Sequence, residues 1–90
     1  MIPPRSTPVQ EFPHEFPIKV VGRRDSDLRA LTQAIVQRHA GPLQESNVRT
    51  RTSADGNFLA VTYIVRAASR EQLDAIYAEL TACKSVLMAL

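Results

Sequence analysis

The run RTRTSADGNFLAVTYIVR at residues 49–66 alternates apolar and polar side chains on either side of a turn sequence. Alternation with period two is the pattern of a strand that buries one face. Asp55-Gly56 near its centre is a two-residue hairpin signal, because both positions tolerate positive φ. The run predicts two antiparallel strands, over residues 46–53 and 58–67, joined by a tight turn. In the second strand Leu59, Val61, Tyr63 and Val65 are the bulkier set and are assigned to the buried face. Ala60, Thr62, Ile64 and Arg66 take the other. Arg49, Arg51 and Arg66 then fall on one side of the sheet.

The flanking segments alternate between strand and helix patterns. Upstream, FPIKVVG (residues 16–22) reads as a strand with Phe16, Ile18 and Val20 on one face and Lys19 and Val21 on the other. Pro17 lacks a donor, so regular pairing is expected to begin after it, and Gly22 is expected to end the strand. DSDLRALTQAIVQRHAG (25–41) reads as a helix. Asp25 or Ser26 can cap it, Asp27 suits its positive end, and Leu28, Leu31, Ile35 and Val36 form its stripe. Gly41 and Pro42 stop it, with the cations Arg38 and His39 in the last turn. Downstream, SREQLDAIYAEL (69–80) is the clearest helix. Ser69 and Gln72 have capping-box spacing, Leu73, Ile76, Tyr77 and Leu80 form a stripe, and Arg70 pairs with Asp74. SVLMAL (85–90) is the last strand, with Val86, Met88 and Leu90 assigned inward.

The order is βαββαβ. Right-handed crossovers set both helices on one face of a four-stranded antiparallel sheet of order 4-1-3-2. The fold class is α+β, a ferredoxin-like sandwich. The expected core is Phe16, Ile18, Val20, Leu28, Leu31, Ile35, Val61, Tyr63, Val65, Leu73, Ile76, Leu80 and Met88.

Length and composition bound the rest. Ninety residues make one domain, and 44% hydrophobic with 22% charged residues is the composition of a globular chain. Four of the six prolines, Pro3, Pro4, Pro8 and Pro13, lie near the start. Residues 1–10 are therefore expected to be a flexible tail ahead of a domain at 11–90, with Phe12 anchoring the tail on the core. The start carries no apolar signal-peptide core, and no run approaches the length of a membrane span. With the single Cys83, which cannot form an internal disulfide, this predicts a cytoplasmic protein.

Net charge is only +2, so its distribution matters more than its total. The helix-free face is expected to carry Lys19, Val21, Arg49, Arg51, Ala60, Thr62, Ile64, Arg66, Leu87 and Ala89. That is four cations and no acid, basic toward strand two and apolar toward strand four. Arg23 and Arg24, in the GRRDSD loop (22–27), extend the basic character. Arginine is the residue for forked recognition of carboxylates and other anions. The bland alternative is a solvated face whose arginines cover apolar surface and guard an edge.

EFPHEFPIKVVG, VQRHAG, DGNFLAVTYIVRAASREQLDAIYAEL and VLMAL, taken together over residues 11–90, resemble the YbeD-like family of small bacterial proteins. The resemblance implies a ferredoxin-like fold similar to the ACT regulatory domains, which bind amino acids or related effectors at subunit interfaces, in ACT-like domains through the loop after strand one. It also implies a regulatory link to lipoate metabolism, because genes of the family often neighbour lipoate-attachment genes. It transfers no catalytic residue. Pro17 and the longer, proline-rich tail depart from the family pattern.

No enzyme, cofactor or metal site is expected. His39 lacks a second ligand at metal spacing and reads as a helix-end cation. Cys83 lacks a Cys-His pattern and reads as a half-buried packing residue. VGRRDSDLR supplies one glycine, too few for an acylphosphatase phosphate loop. The leading expectation is a small binding and regulatory module for an anionic metabolite or a partner enzyme, through Lys19, Arg23, Arg24, Arg49, Arg51 and Arg66; a homodimer is compatible with it. Nucleic-acid binding ranks lower, since Ala60, Thr62 and Lys19 stand where RNA-recognition domains stack bases on aromatics and only Phe58 could serve. A protein–protein adaptor is the third reading.

Overall fold

The computed structural model describes residues 14–24 and 27–90. The expected tail, the anchoring role of Phe12 and the capping by Asp25 or Ser26 lie outside the described residues. The elements run β1 (His14–Arg23), α1 (Leu28–Ala40), a single 3-10 turn (Glu45–Asn47), β2 (Val48–Thr52), β3 (Phe58–Ala67), α2 (Arg70–Ala82) and β4 (Val86–Ala89). The four strands form one antiparallel sheet of order β2-β3-β1-β4. This is the ferredoxin-like arrangement that the alternation of periods implies.

The core lies between the sheet and the two helices. Ile18, Val20, Val61, Tyr63, Val65 and Ala67 from the sheet meet Leu28, Ile35, Val36, Leu73, Ile76 and Leu80 from the helices. Phe16, Leu59 and Tyr77 are partly buried and pack against this cluster. The Ser69 hydroxyl accepts from the Gln72 N–H at 3.1 Å and starts α2 as the spacing predicts. Gln72 Oε1 reaches one residue further back, accepting from the Ala68 N–H at 2.7 Å. Gly41 closes α1 with φ 83°, a conformation that favours glycine. At the other end Asp27 is the N-cap, without a side-chain cap hydrogen bond.

Six expectations are corrected. First, β1 pairs with β3 from His14 onward, through Pro17↔Ile64, so Pro17 does not delay pairing. Lys19 and Leu90 exchange both backbone hydrogen bonds, at 3.0 and 2.8 Å. Odd residues of β1 therefore direct their backbone groups toward β4, away from β3. The donor that Pro17 lacks would point away from β3, so its absence costs the β1–β3 ladder no bond. Second, Gly22 does not end β1 but is buried within it. A Cβ there would stand 2.3 Å from the Ser85 carbonyl oxygen and 2.8 Å from Leu28 Cδ1, so the position needs glycine for close approach.

Third, β2 begins at Val48, because Glu45–Asn47 are taken up in the 3-10 turn. Fourth, the four residues ADGN lie between Ser53 and Phe58 as the expected strands leave them, but the turn is not centred on Asp55-Gly56. The Ser53 N–H donates to Phe58 O and the Gly56 N–H to Ser53 O, both at 2.9 Å, so Ala54 and Asp55 form the centre of the turn and Gly56 follows at φ 80°. Asp55 Oδ1 accepts from the Ser53 hydroxyl and the Asn57 N–H, an Asx-type closure that favours the wider loop.

Fifth, Leu31 is 43% exposed and Thr32 takes its place in the core. Thr32 is tolerated there because its hydroxyl donates to Leu28 O at 2.7 Å and stands 2.6 Å from the Tyr63 hydroxyl. Sixth, Met88 and Leu90 do not face inward; they are 51% and 61% exposed. The β1–β4 register shifts between Val21 and Gly22: Val21 opposes Met88, but Gly22 opposes Val86, which leaves Leu87 as the extra residue of a bulge. Val86 and Ala89 pack against the core instead. Among the described residues no helix is long and apolar enough to cross a membrane.

A basic shelf on the open face as candidate functional site

The strand register sorts the outward side chains into rows. One row runs Arg51, Ala60, Val21, Met88 from β2 to β4. The next runs Arg49, Thr62, Lys19, Leu90. Phe58 and Arg23 oppose each other at the hairpin end, and Arg66 opposes Glu15 at the far end.

These rows divide the six predicted site residues into three places. Lys19, Arg49 and Arg51 come together. The two arginines are about 7 Å apart along β2, and Lys19 is about 10 Å across the sheet from Arg49. Only Ala60 and Thr62 lie between them, and small side chains between long cationic ones leave a hollow. It measures 310 Å³, with Lys19, Arg49 and Arg51 as walls. A second hollow of 410 Å³ adjoins it toward Val21 and Phe58. Small-molecule sites begin near such volumes, about 300 Å³. The neighbouring rows contribute no acidic side chain.

Arg23 and Arg24 form a separate corner with Gly56 and Asn57, around a space of 320 Å³. The Arg24 N–H donates to Asn57 O at 3.0 Å, which ties the strand end to the hairpin loop. Asp55, the nearby acid, is held inside its loop. The Ser53 hydroxyl, then the Asn57 N–H, lowers its pKa and keeps it ionised.

Arg66 does not join the shelf. It lies four residues along β3 from Thr62, about 14 Å away. Glu15 directly opposes it. The expectation of a face without acids is thus corrected, for the reason that β1 starts at His14 and carries Glu15 onto the sheet. Alternation from Phe16 already puts Glu15 outward, so this signal was present in the sequence. The apolar border was not legible in the same way. Leu87 is exposed, as expected, but the bulge turns Ala89 toward the core and brings Met88 and Leu90 outward.

A second charged cluster, missed in sequence, joins the helices on the opposite side. Glu79 receives Arg38 through one carboxylate oxygen and His39 Nε2, at 2.7 Å, through the other. Gln72 Nε2 donates to His39 O at 2.8 Å. Arg38 and His39 lie 41 and 40 positions from Glu79 in sequence and meet it only because α1 and α2 pack side by side. Cys83 is half-buried against the core at the end of α2, as expected of a packing residue.

The fold and this face define a ferredoxin-like domain with one sheet face free of helices and a cationic shelf along its β2 side. A family described as "protein of unknown function (DUF493)" matches residues 7–90. The chain is 42% identical over 88 residues to a UPF0250 protein of Ralstonia nicotianae, covering 98% of this chain and 90% of that one. It is 42% identical over 80 residues to a UPF0250 protein of Chromobacterium violaceum, covering 89% and 90%. With a UPF0250 protein of Ectopseudomonas mendocina it shares 43% identity over 84 residues, 92% and 91% of the two chains. No solved structure matches. The chain belongs to the DUF493/UPF0250 family, the YbeD-like small bacterial proteins of unknown function.

Proposed function

We propose that the protein is a cytoplasmic, non-catalytic regulatory module that recognises an anionic group on its open sheet face. That group belongs to a small metabolite or to an acidic patch on a partner enzyme. The observation that carries this reading is the convergence of Lys19, Arg49 and Arg51 around Ala60 and Thr62, in rows without an acidic side chain. Crowded cations repel across a sheet unless they are solvated or meet a negative group. The link to lipoate metabolism, implied by the YbeD-like resemblance, accords with a carboxylate as the anion. Nucleic-acid binding is the second reading. It is favoured by Phe58, exposed on the same face beside Arg23, and weakened by the lack of further aromatics there among the described residues.

A thermal-shift screen of carboxylates and phosphates tests the first reading, because a ligand that binds the folded state raises the melting temperature by mass action. A stabilising anion is expected for the wild-type chain. Its effect should vanish in Arg49→Glu and Arg51→Glu and persist in Arg29→Glu, on exposed α1 surface. Equal stabilisation of all four proteins would overturn the assignment to this shelf.

A further inference from the structure

We propose that the outer edge of β2 receives an extended acidic segment of a partner protein, which adds to the sheet as a fifth strand. The inference rests on the anion-binding reading above and names the partner for its two arginines.

The backbone supplies the first part. β2 ends the sheet, and among the described residues no element pairs beyond it. Arg24↔Asn57 and Ser53↔Phe58 are joined by backbone bonds of 3.0 and 2.9 Å. By antiparallel alternation Arg51 and Arg49 bond to Ala60 and Thr62, and the N–H and C=O of Thr50 point out of the edge. The Thr52 N–H points the same way. A docking strand therefore finds open donors and acceptors at Thr50, with Arg49 and Arg51 on either side.

The side chains supply the second part. A strand added antiparallel and bonded at Thr50 meets Arg49 and Arg51 at non-hydrogen-bonded positions, where facing Cα atoms approach to about 4.5 Å. Its residues there point onto the open face beside both guanidinium groups. Acidic residues at alternate positions, spaced by one that opposes Thr50, would each reach one arginine in a charge-assisted pair. The partner sequence is acidic–x–acidic, with a strand-forming x.

The same charges choose against the most available competitor, a second copy. Antiparallel pairing of two β2 edges about Thr50 would set each Arg49 against the other chain's Arg51. Like charges directly opposed are destabilising, so the edge bars itself while remaining open to an acidic strand.

The test uses the full chain and a short capped peptide with a central Glu-Thr-Glu, at low salt. Binding is followed by fluorescence anisotropy and by amide hydrogen exchange. The expected result is binding with slowed exchange at Thr50 and Thr52. Arg49→Glu or Arg51→Glu should weaken it by about tenfold, the loss of one charge-assisted pair. The double reversal should restore binding to a Lys-Thr-Lys peptide. N-methylation of the peptide's central threonine keeps its charge and removes its backbone donor, and should abolish binding. If the methylated peptide binds as well as the parent, strand addition is overturned while the anion shelf stands. If neither peptide nor any small anion responds to charge reversal, the underlying reading fails as well. A single-stranded oligonucleotide that binds through Arg49 and Arg51 while the peptide does not would also overturn the proposal.

Discussion

At Gly22 an added methyl would meet a backbone oxygen of Ser85 at 2.3 Å, and backbone cannot swing aside as a side chain can. Gly22→Ala is expected to cost about 1–3 kcal/mol through overpacking, read by chemical denaturation. A loss below about 0.5 kcal/mol would mean that β4 can separate from β1 freely. Tyr63 carries a different constraint. Its ring is fully buried and its hydroxyl stands against Thr32 Oγ1 at 2.6 Å. Thr32 donates to Leu28 O and the Tyr63 hydroxyl to Arg29 O at 3.2 Å, and either hydroxyl can donate in the bond between them. Burial raises the phenol pKa above its ordinary 10.0, partly opposed by the Thr32 hydrogen bond. A raised acid pKa means that the folded state keeps a proton the unfolded state loses. Stability should therefore fall as pH climbs past about 10. Tyr63→Phe should cost about 1–3 kcal/mol at neutral pH, the worth of the hydroxyl's bonds to Thr32 and to Arg29 O. It should also flatten the alkaline decline, leaving a remainder from Tyr77, whose phenol burial also raises.

Among the elements, the two helices are clamped where α1 ends and α2 runs alongside. The hydrogen bond from His39 is the main influence lowering the Glu79 pKa, with Arg38 assisting and partial desolvation opposing. A depressed carboxylate pKa contributes stability above its unfolded value and loses it as pH falls through the folded one. Glu79→Gln should lower the melting temperature at neutral pH and weaken its fall on acidification through the carboxylate range. Parallel acid profiles for the two proteins would show that the clamp is energetically silent. β4 illustrates how one extra residue redirects an element. Ile76→Ala should cost about 2–5 kcal/mol, as a core truncation does. Met88→Ala should cost under about 1 kcal/mol, because the bulge turns Met88 outward. Comparable losses, measured by urea denaturation, would contradict the register.

On the scale of the whole molecule, a net charge of +2 conceals a strong separation. Cations gather at the β2 side of the open face, and apolar Met88 and Leu90 border its β4 side. Charges on an open sheet are screened over about 8–10 Å at physiological salt. Any anion held by Lys19, Arg49 and Arg51 should bind distinctly more weakly as ionic strength rises from 50 to 500 mM, measured by titration calorimetry. Affinity that ignores salt would assign binding to the apolar side.

The elements and their order were legible in the chain because they rest on local rules. Alternation defines β3, the i, i+3, i+4 stripe and the Ser69 cap define α2, and Gly41 ends α1 by its need for positive φ. The cationic shelf was legible too, since a hairpin brings residues close in sequence side by side. What the chain alone left open depends on partners distant in sequence. Thr32 is buried in place of Leu31 because Tyr63 offers it a hydrogen bond thirty-one residues away. Glu79 finds Arg38 and His39 only when the helices pack. Met88 and Leu90 face outward because β4 must pass the bare backbone of Gly22, and that contact, with its bulge, exists only once the sheet has closed.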